Sequence, residues 1–103
     1  MIYVVATIEV QPGKREEFLA VQRDLLPLVL AEEGCIEYTP TIDVAMGNPA
    51  KSPLRENVVV MQEKWETIES LRAHSVAPHM NAFRTQAKEL IVSIKVEVFE
   101  TLK

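Results

Sequence analysis

Residues 58–80, VVVMQEKWETIESLRAHSVAPHM, change their hydrophobic period midway, and that change decides how the whole chain is read. Asn57 to Trp65 is rich in β-branched residues and reads as a strand. Val58, Val59, Val60 and Met61 make it apolar on both sides, the pattern of a strand covered on both faces. After Trp65 the spacing becomes helical. Ile68 to His74 is a short helix, and Pro78 to Leu90 is a second helical segment in which His79, Phe83, Ala87 and Leu90 share a face. The two histidines of the chain, His74 and His79, flank the interruption at Pro78. Histidine is the side chain whose ordinary pKa lies nearest neutrality, so it accepts a proton without assistance. Both lie close in sequence to a strand-end tryptophan, and this points to the wall of a small-molecule pocket.

Upstream, Ile2 to Val10 is a strand that ends at the turn Pro12-Gly13. From Lys14 to Glu33 the chain is helical: Phe18, Val21, Leu25, Leu28 and Val29 form one apolar face, widened by Leu19, Leu26 and Leu30. So wide a stripe calls for a second helix or a second subunit on its flank. Pro27 predicts a kink, because it lacks a backbone donor and crowds the carbonyl four residues back. Gly34 is placed to end the helix in the left-handed region. Cys35 to Asp43 is a second strand, and Pro40 assigns it to a sheet edge or a bulge. Val44 to Glu56 is a long connection containing two prolines, and a lid over the pocket is one role for it. Ile91 to Glu100 closes the chain as a strand, Val92, Ile94, Val96 and Val98 alternating with Ser93, Lys95 and Glu97. The order strand, helix, strand, strand, helix, strand is the split βαβ, ferredoxin-like arrangement: α+β, a four-stranded antiparallel sheet with helices on one face. The opposite face, apolar on strands one and three, predicts a second copy against it.

The totals agree with one domain over residues 1–103, 48% hydrophobic and 25% charged. A net charge of −4 and the absence of a basic stripe (Lys14-Arg15 runs straight into Glu16-Glu17) argue against nucleic acid as a partner. Cys35 stands alone and cannot form an internal disulfide, which fits a reducing cytoplasm. The opening MIYVVATIEV has no basic leader and alternates like a strand, so it does not read as a signal peptide. No apolar run approaches the roughly 20 residues of a membrane span.

With this order in hand, the chain resembles the antibiotic-biosynthesis monooxygenase superfamily, and within it the bacterial quinol monooxygenase branch. The resemblance is carried by the opening strand running into QPGKREEF, then EEGCIEYTPTID, VVVMQEKWETIESLRAH and PHMNAF, which together span most of the chain. It implies a homodimeric α+β barrel and an oxygenase that uses no metal, flavin or haem. The implied partners are O₂ and a small aromatic substrate, a phenol or quinol held between sheet and helices. Such a ring, once deprotonated, can pass an electron to O₂ unaided. The protein has to remove the proton, exclude water and hold oxygen against the ring. One branch of the superfamily degrades haem. Its asparagine and tryptophan would fall on Ala6 and near His74, so that pattern is absent here.

His74 falls where the resemblance implies a helix histidine facing the pocket, and it is the candidate general base; the structural alternative is a helix-end histidine on the dipole. His79, Tyr38, Trp65, Phe83, Glu63 and Met61 are candidate substrate contacts. Glu63 and Trp65 point to one side of strand three with Met61 and Val59, where a structural use such as anchoring a helix start is favoured over substrate contact. Tyr38 and Tyr3 offer a ring and a hydroxyl, suited to a substrate oxygen or a core edge. Met46, Met61 and Met80 also serve simply as gap fillers, and Cys35 as a small buried hydrophobe. No metal site is expected: His74 and His79 lack the i, i+4 spacing of a helical zinc pair. Two other functions remain open at this point. One is isomerisation of a small phosphorylated metabolite, as on a related branch, using Lys51, Arg55, Arg72 or Arg84. The other is non-catalytic binding of a small aromatic by a dimer.

Overall fold

The computed structural model describes residues 1–47 and 53–103, so Lys51 and the middle of the expected lid lie outside the described residues. The strands are β1 (Ile2–Val10), β2 (Cys35–Thr41), β3 (Val58–Trp65) and β4 (Ile91–Glu100). The helices are α1 (Arg15–Leu30), α2 (Ile68–Ser75) and α3 (Pro78–Ala87), with a 3₁₀ turn at Lys88–Leu90 before β4. The sheet order is β2-β3-β1-β4 with every pair antiparallel, the ferredoxin-like topology expected from the element order. β2, carrying Pro40, is an edge strand as its missing donor requires.

Alternation on the central strands selects the helix-facing side. Ile2, Val4, Ala6, Ile8 and Val10 of β1 are buried, as are Val59, Met61, Glu63 and Trp65 of β3. Each large apolar side chain so enclosed stabilises the fold by about 1.5–3 kcal/mol relative to exposure. Register places Tyr38 and Val4 on either side of Glu63, and Pro40 and Ala6 on either side of Met61. A shift in the β2–β3 pairing between Cys35 and Glu37 turns Tyr38 onto this inner face.

Three expectations need correction. The buried stripe of α1 is Phe18, Gln22, Leu25 and Val29, and the flank residues Leu19, Val21 and Leu26 are partly buried with α3 packed on the helix, whereas Leu28, expected on the inner face, and Leu30 are half-exposed. α1 continues through Pro27 and ends at Leu30, capped by Ala31. Gly34, at φ +82°, therefore opens β2 rather than closing the helix. Third, uncovered apolar surface is not confined to the far side of the sheet. Ile94, Val96 and Val98 pair with the inner-face residues Ile8, Ala6 and Val4, yet each is about half exposed, because β4 is the outer edge beyond the helices. No helix among the described residues is long and apolar enough to cross a membrane.

Candidate functional site

Two local signals place the histidines. Thr67, extended, caps α2 by accepting the Ser70 N–H at 3.1 Å, so the helix starts directly after Trp65 and delivers His74 in its last turn. Pro78 occupies the first turn of α3, where a missing N–H costs nothing and its fixed φ suits the helix. The proline thus starts a new helix and turns His79 back towards α2.

Both imidazoles converge on Glu32, a residue the sequence reading did not single out. His74 Nδ1 and His79 Nε2 each lie 2.8 Å from Glu32 Oε2. The Glu32 backbone is pinned between α1 and β2: its N–H donates to Val29 O and its carbonyl accepts from Cys35 N. One carboxylate thereby ties the α1–β2 corner to both later helices. A carboxylate only accepts, so each facing ring nitrogen donates, and His74 keeps Nε2 for other use. Nε2 of His74 makes no hydrogen bond among the described residues. The ring is held between aromatic neighbours, tilted over Trp65 at 4.6 Å between centroids and edge-on to Tyr38 at 5.5 Å.

His74 forms part of the wall of a cavity of about 450 Å³ between the sheet and the helices, room for a one- or two-ring aromatic. Val4, Ala6 and Ile8 form its floor with Ile94 and Val96, and Leu71, Met80 and Phe83 line the helix side. Phe83 is steadied edge-on by Phe18 at 6.0 Å. The polar groups in the wall are Gln22, Tyr38, Glu63, His74 and Ser75, with Arg84 and Lys88 also contributing. Of the expected contacts, Tyr38, Met61, Glu63, His74 and Phe83 are brought together on this wall. Trp65 and His79 stand behind it. Trp65 is fully buried and donates from Nε1 to Glu63 Oε1 at 3.0 Å, and His79 is spent on Glu32.

Electrostatics divide the titratable groups. Burial pushes the Glu63 carboxyl up to about 7, the Trp65 N–H opposing the rise and the Glu32 charge adding to it. The Tyr38 phenol is raised beyond its ordinary range by burial and then by Glu63, with the nearby Gln22 amide working the other way. Burial, Glu32 and Glu63 together take the Cys35 thiol up to about 11, leaving it protonated and without nucleophilic character at neutral pH. Among the described residues, the cations expected for a phosphate do not form a cradle. Arg55 is fastened to Asp43 at 2.7 and 2.8 Å at the surface, and Arg72 is off the cavity wall. Arg84 donates to Asn81 Oδ1 and to the Ser75 carbonyl at 2.9 and 2.8 Å. No group of three or more His, Cys, Asp or Glu side chains arranged to hold a metal ion occurs among the described residues.

Glu32 and Gln22 are the residues of the candidate site that the sequence reading missed. Gln22 carried a usable signal, lying four residues after Phe18 and three before Leu25, on the buried line itself. Glu32 carried none, since an acidic residue in a turn ordinarily faces solvent.

Comparison with known proteins gives a consistent result. The family model described as "Antibiotic biosynthesis monooxygenase" matches residues 1–86. The "Probable quinol monooxygenase YgiN" of Escherichia coli (strain K12) is 34% identical over 102 residues, covering 97% of each chain. YcnE of Bacillus subtilis (strain 168) is 35% identical over 101 residues, covering 98% of this chain and 96% of its own. Among solved structures, that of PA3566 from Pseudomonas aeruginosa superposes with a TM-score of 0.81 at 24% identity, covering 99% of this chain and 94% of the other, a likeness of fold.

Proposed function

The chain belongs to the antibiotic biosynthesis monooxygenase family, and from that membership we propose that it is a cofactor-independent monooxygenase oxidising a quinol-like or polyphenolic aromatic with O₂. The observation that carries this reading is the state of His74: its Nδ1–H is committed to Glu32 Oε2, and the ring forms part of the wall of an apolar cavity. A base needs one nitrogen fixed as a donor so that the other is an acceptor, and Glu32 does this.

The phenolic hydroxyl gives its proton to His74 Nε2. The imidazolium so formed is in contact with a carboxylate through its far nitrogen. The phenolate passes one electron to O₂, and the resulting radical pair combines to place a peroxide on the ring. On collapse one oxygen atom stays on the ring and the other leaves as water with hydrogens from the substrate, so no outside reductant is consumed. General-base assistance of this kind contributes typically ~10²–10⁴-fold. Tyr38 and Glu63 supply polar contacts to substrate oxygens, while Met61, Met80 and Phe83 hold the ring and exclude water. The working form is a homodimer; the half-exposed Ile94, Val96 and Val98 support it, since they continue the cavity floor outward and a second copy can close it.

The test is O₂ uptake with 1,4-naphthoquinols, followed with quinone formation, for the wild type and His74→Ala. Turnover above autoxidation that falls in the variant is expected. Tight binding with no O₂ consumed across a panel of such quinols would sink the enzyme reading and select a binding protein instead.

A further inference from the structure

Gln22 has an unsatisfied acceptor. Its side chain is 1% exposed and sits in the buried stripe of α1 between Phe18 and Leu25. Nε2 donates to Met61 Sδ at 3.2 Å, while Oε1 is the buried side-chain polar atom left without a partner among the described residues. Turning the amide over does not remove the problem. It would set two acceptors, Oε1 and the thioether, against each other and leave the NH₂ group unmatched in place of one oxygen. The Gln22 amide also acts on the Tyr38 hydroxyl, opposing the rise that burial gives its phenol, but no hydrogen bond from that hydroxyl to Oε1 occurs among the described residues.

A buried acceptor with no donor is expensive, and in native proteins such a group has a reason. Here the reason is at hand, because Gln22 lines the same cavity as His74, Tyr38 and Glu63. A cavity wall that includes an unfilled acceptor rewards a ligand bringing a hydroxyl donor. It rejects the same ring without one, since that ligand seals the acceptor away from water unmatched.

We infer that Gln22 Oε1 accepts the O–H of an aromatic hydroxyl and makes this pocket select hydroxylated rings over their ethers and quinones. The inference rests on the aromatic-substrate reading and extends it to a direction of traffic. A quinol arrives with the donor that Gln22 requires. A carbonyl that replaces this hydroxyl on oxidation has no proton to give, so the product loses the contact and leaves.

Binding alone tests this, without turnover. Equilibrium dialysis under nitrogen compares 1-naphthol with 1-methoxynaphthalene, which share the ring system while the naphthol alone carries the donor. The wild type is expected to prefer the naphthol by ~10-fold or more. Gln22→Leu and Gln22→Met should lower the ratio several-fold, through weaker naphthol binding with the ether bound as well or better, what remains being owed to the other acceptors of the wall. Gln22→Glu, which keeps an acceptor, should preserve the preference. A residue that merely braces Met61 would change both affinities together and leave the ratio alone. A ratio in the leucine or methionine variant equal to that of the wild type overturns the inference, as does a wild type with no preference. Preference for the naphthol together with no O₂ consumption of any quinol would overturn the monooxygenase reading and leave the role of Gln22 standing.

Discussion

Replacing Glu63 by glutamine should remove a pH-dependent weakness from the fold. Burial raises the Glu63 carboxyl from 4.5 to about 7, so the native state holds this proton more tightly than the unfolded chain does. Between those two values the unfolded state binds fewer protons, and stability therefore falls as pH rises. The contribution is fully present below about pH 4.5 and lost once pH has passed about 7. At ~1.4 kcal/mol for each tenfold change in proton affinity, the loss is at most about 3 kcal/mol. In Glu63→Gln the amide keeps an oxygen for the Trp65 N–H, so the packing and the hydrogen bond survive while the ionisation does not. Urea unfolding followed by far-ultraviolet circular dichroism from pH 4.5 to 8.5 measures the difference. Tyr38, Glu32 and His74 lie around this position in both proteins, and subtraction leaves Glu63 itself. The variant should become the more stable protein above pH 7, its advantage growing steadily from pH 5. Parallel profiles for the two proteins would refute the account, because a buried carboxyl that did not resist ionisation would titrate alike in both states.

Glu32→Ala should lower turnover of a quinol at least ~10-fold and destabilise the fold by about 3 kcal/mol, since two ring N–H donors lose one acceptor; steady-state O₂ uptake and urea titration check the two parts. His79→Ala, which leaves the His74–Glu32 bond in place, should cost stability but keep most of the activity, and abolished turnover in a folded variant would contradict the division of labour between the histidines. Gly34→Ala should lower the melting temperature by about 10 °C or more, because φ is +82° and a new Cβ would meet Ser70 Cβ at 2.6 Å. Val96→Asp should shift the protein from dimer to monomer in light scattering, and a wild type that is already monomeric would remove the second copy from the account.

The fold was legible where local chemistry and hydrophobic period agree. β4 begins and ends where its alternation does, and the break before His79 follows from a proline that cannot sit deep in a helix. α1 was legible as a helix but its inner line was misjudged: an apolar Val21 was given the place that Gln22 fills. Packing decided that position, and a polar residue on a buried line is visible only once the line is drawn. Of the site, His74, Tyr38, Glu63, Met61 and Phe83 could be named because strand alternation or the family pattern placed them. Glu32 could not. Its partners lie 42 and 47 residues ahead in sequence, and no periodicity links a turn to two helices across such a distance.

Trp65 is the one indole of the chain, and its place gives the site an optical property of its own. The ring lies in tilted contact with His74, and its N–H rests on the Glu63 carboxyl that burial pushes up to about 7. Protonation of that carboxyl, or the arrival of a ring beside it, changes the electric field and the quenching partners that the excited indole meets. The fluorescence of the unmodified protein is thus a report from a single location, free of background from any second tryptophan. Proton uptake at the cavity wall and ligand arrival can be followed on the same signal in a stopped-flow instrument, in the order in which they occur.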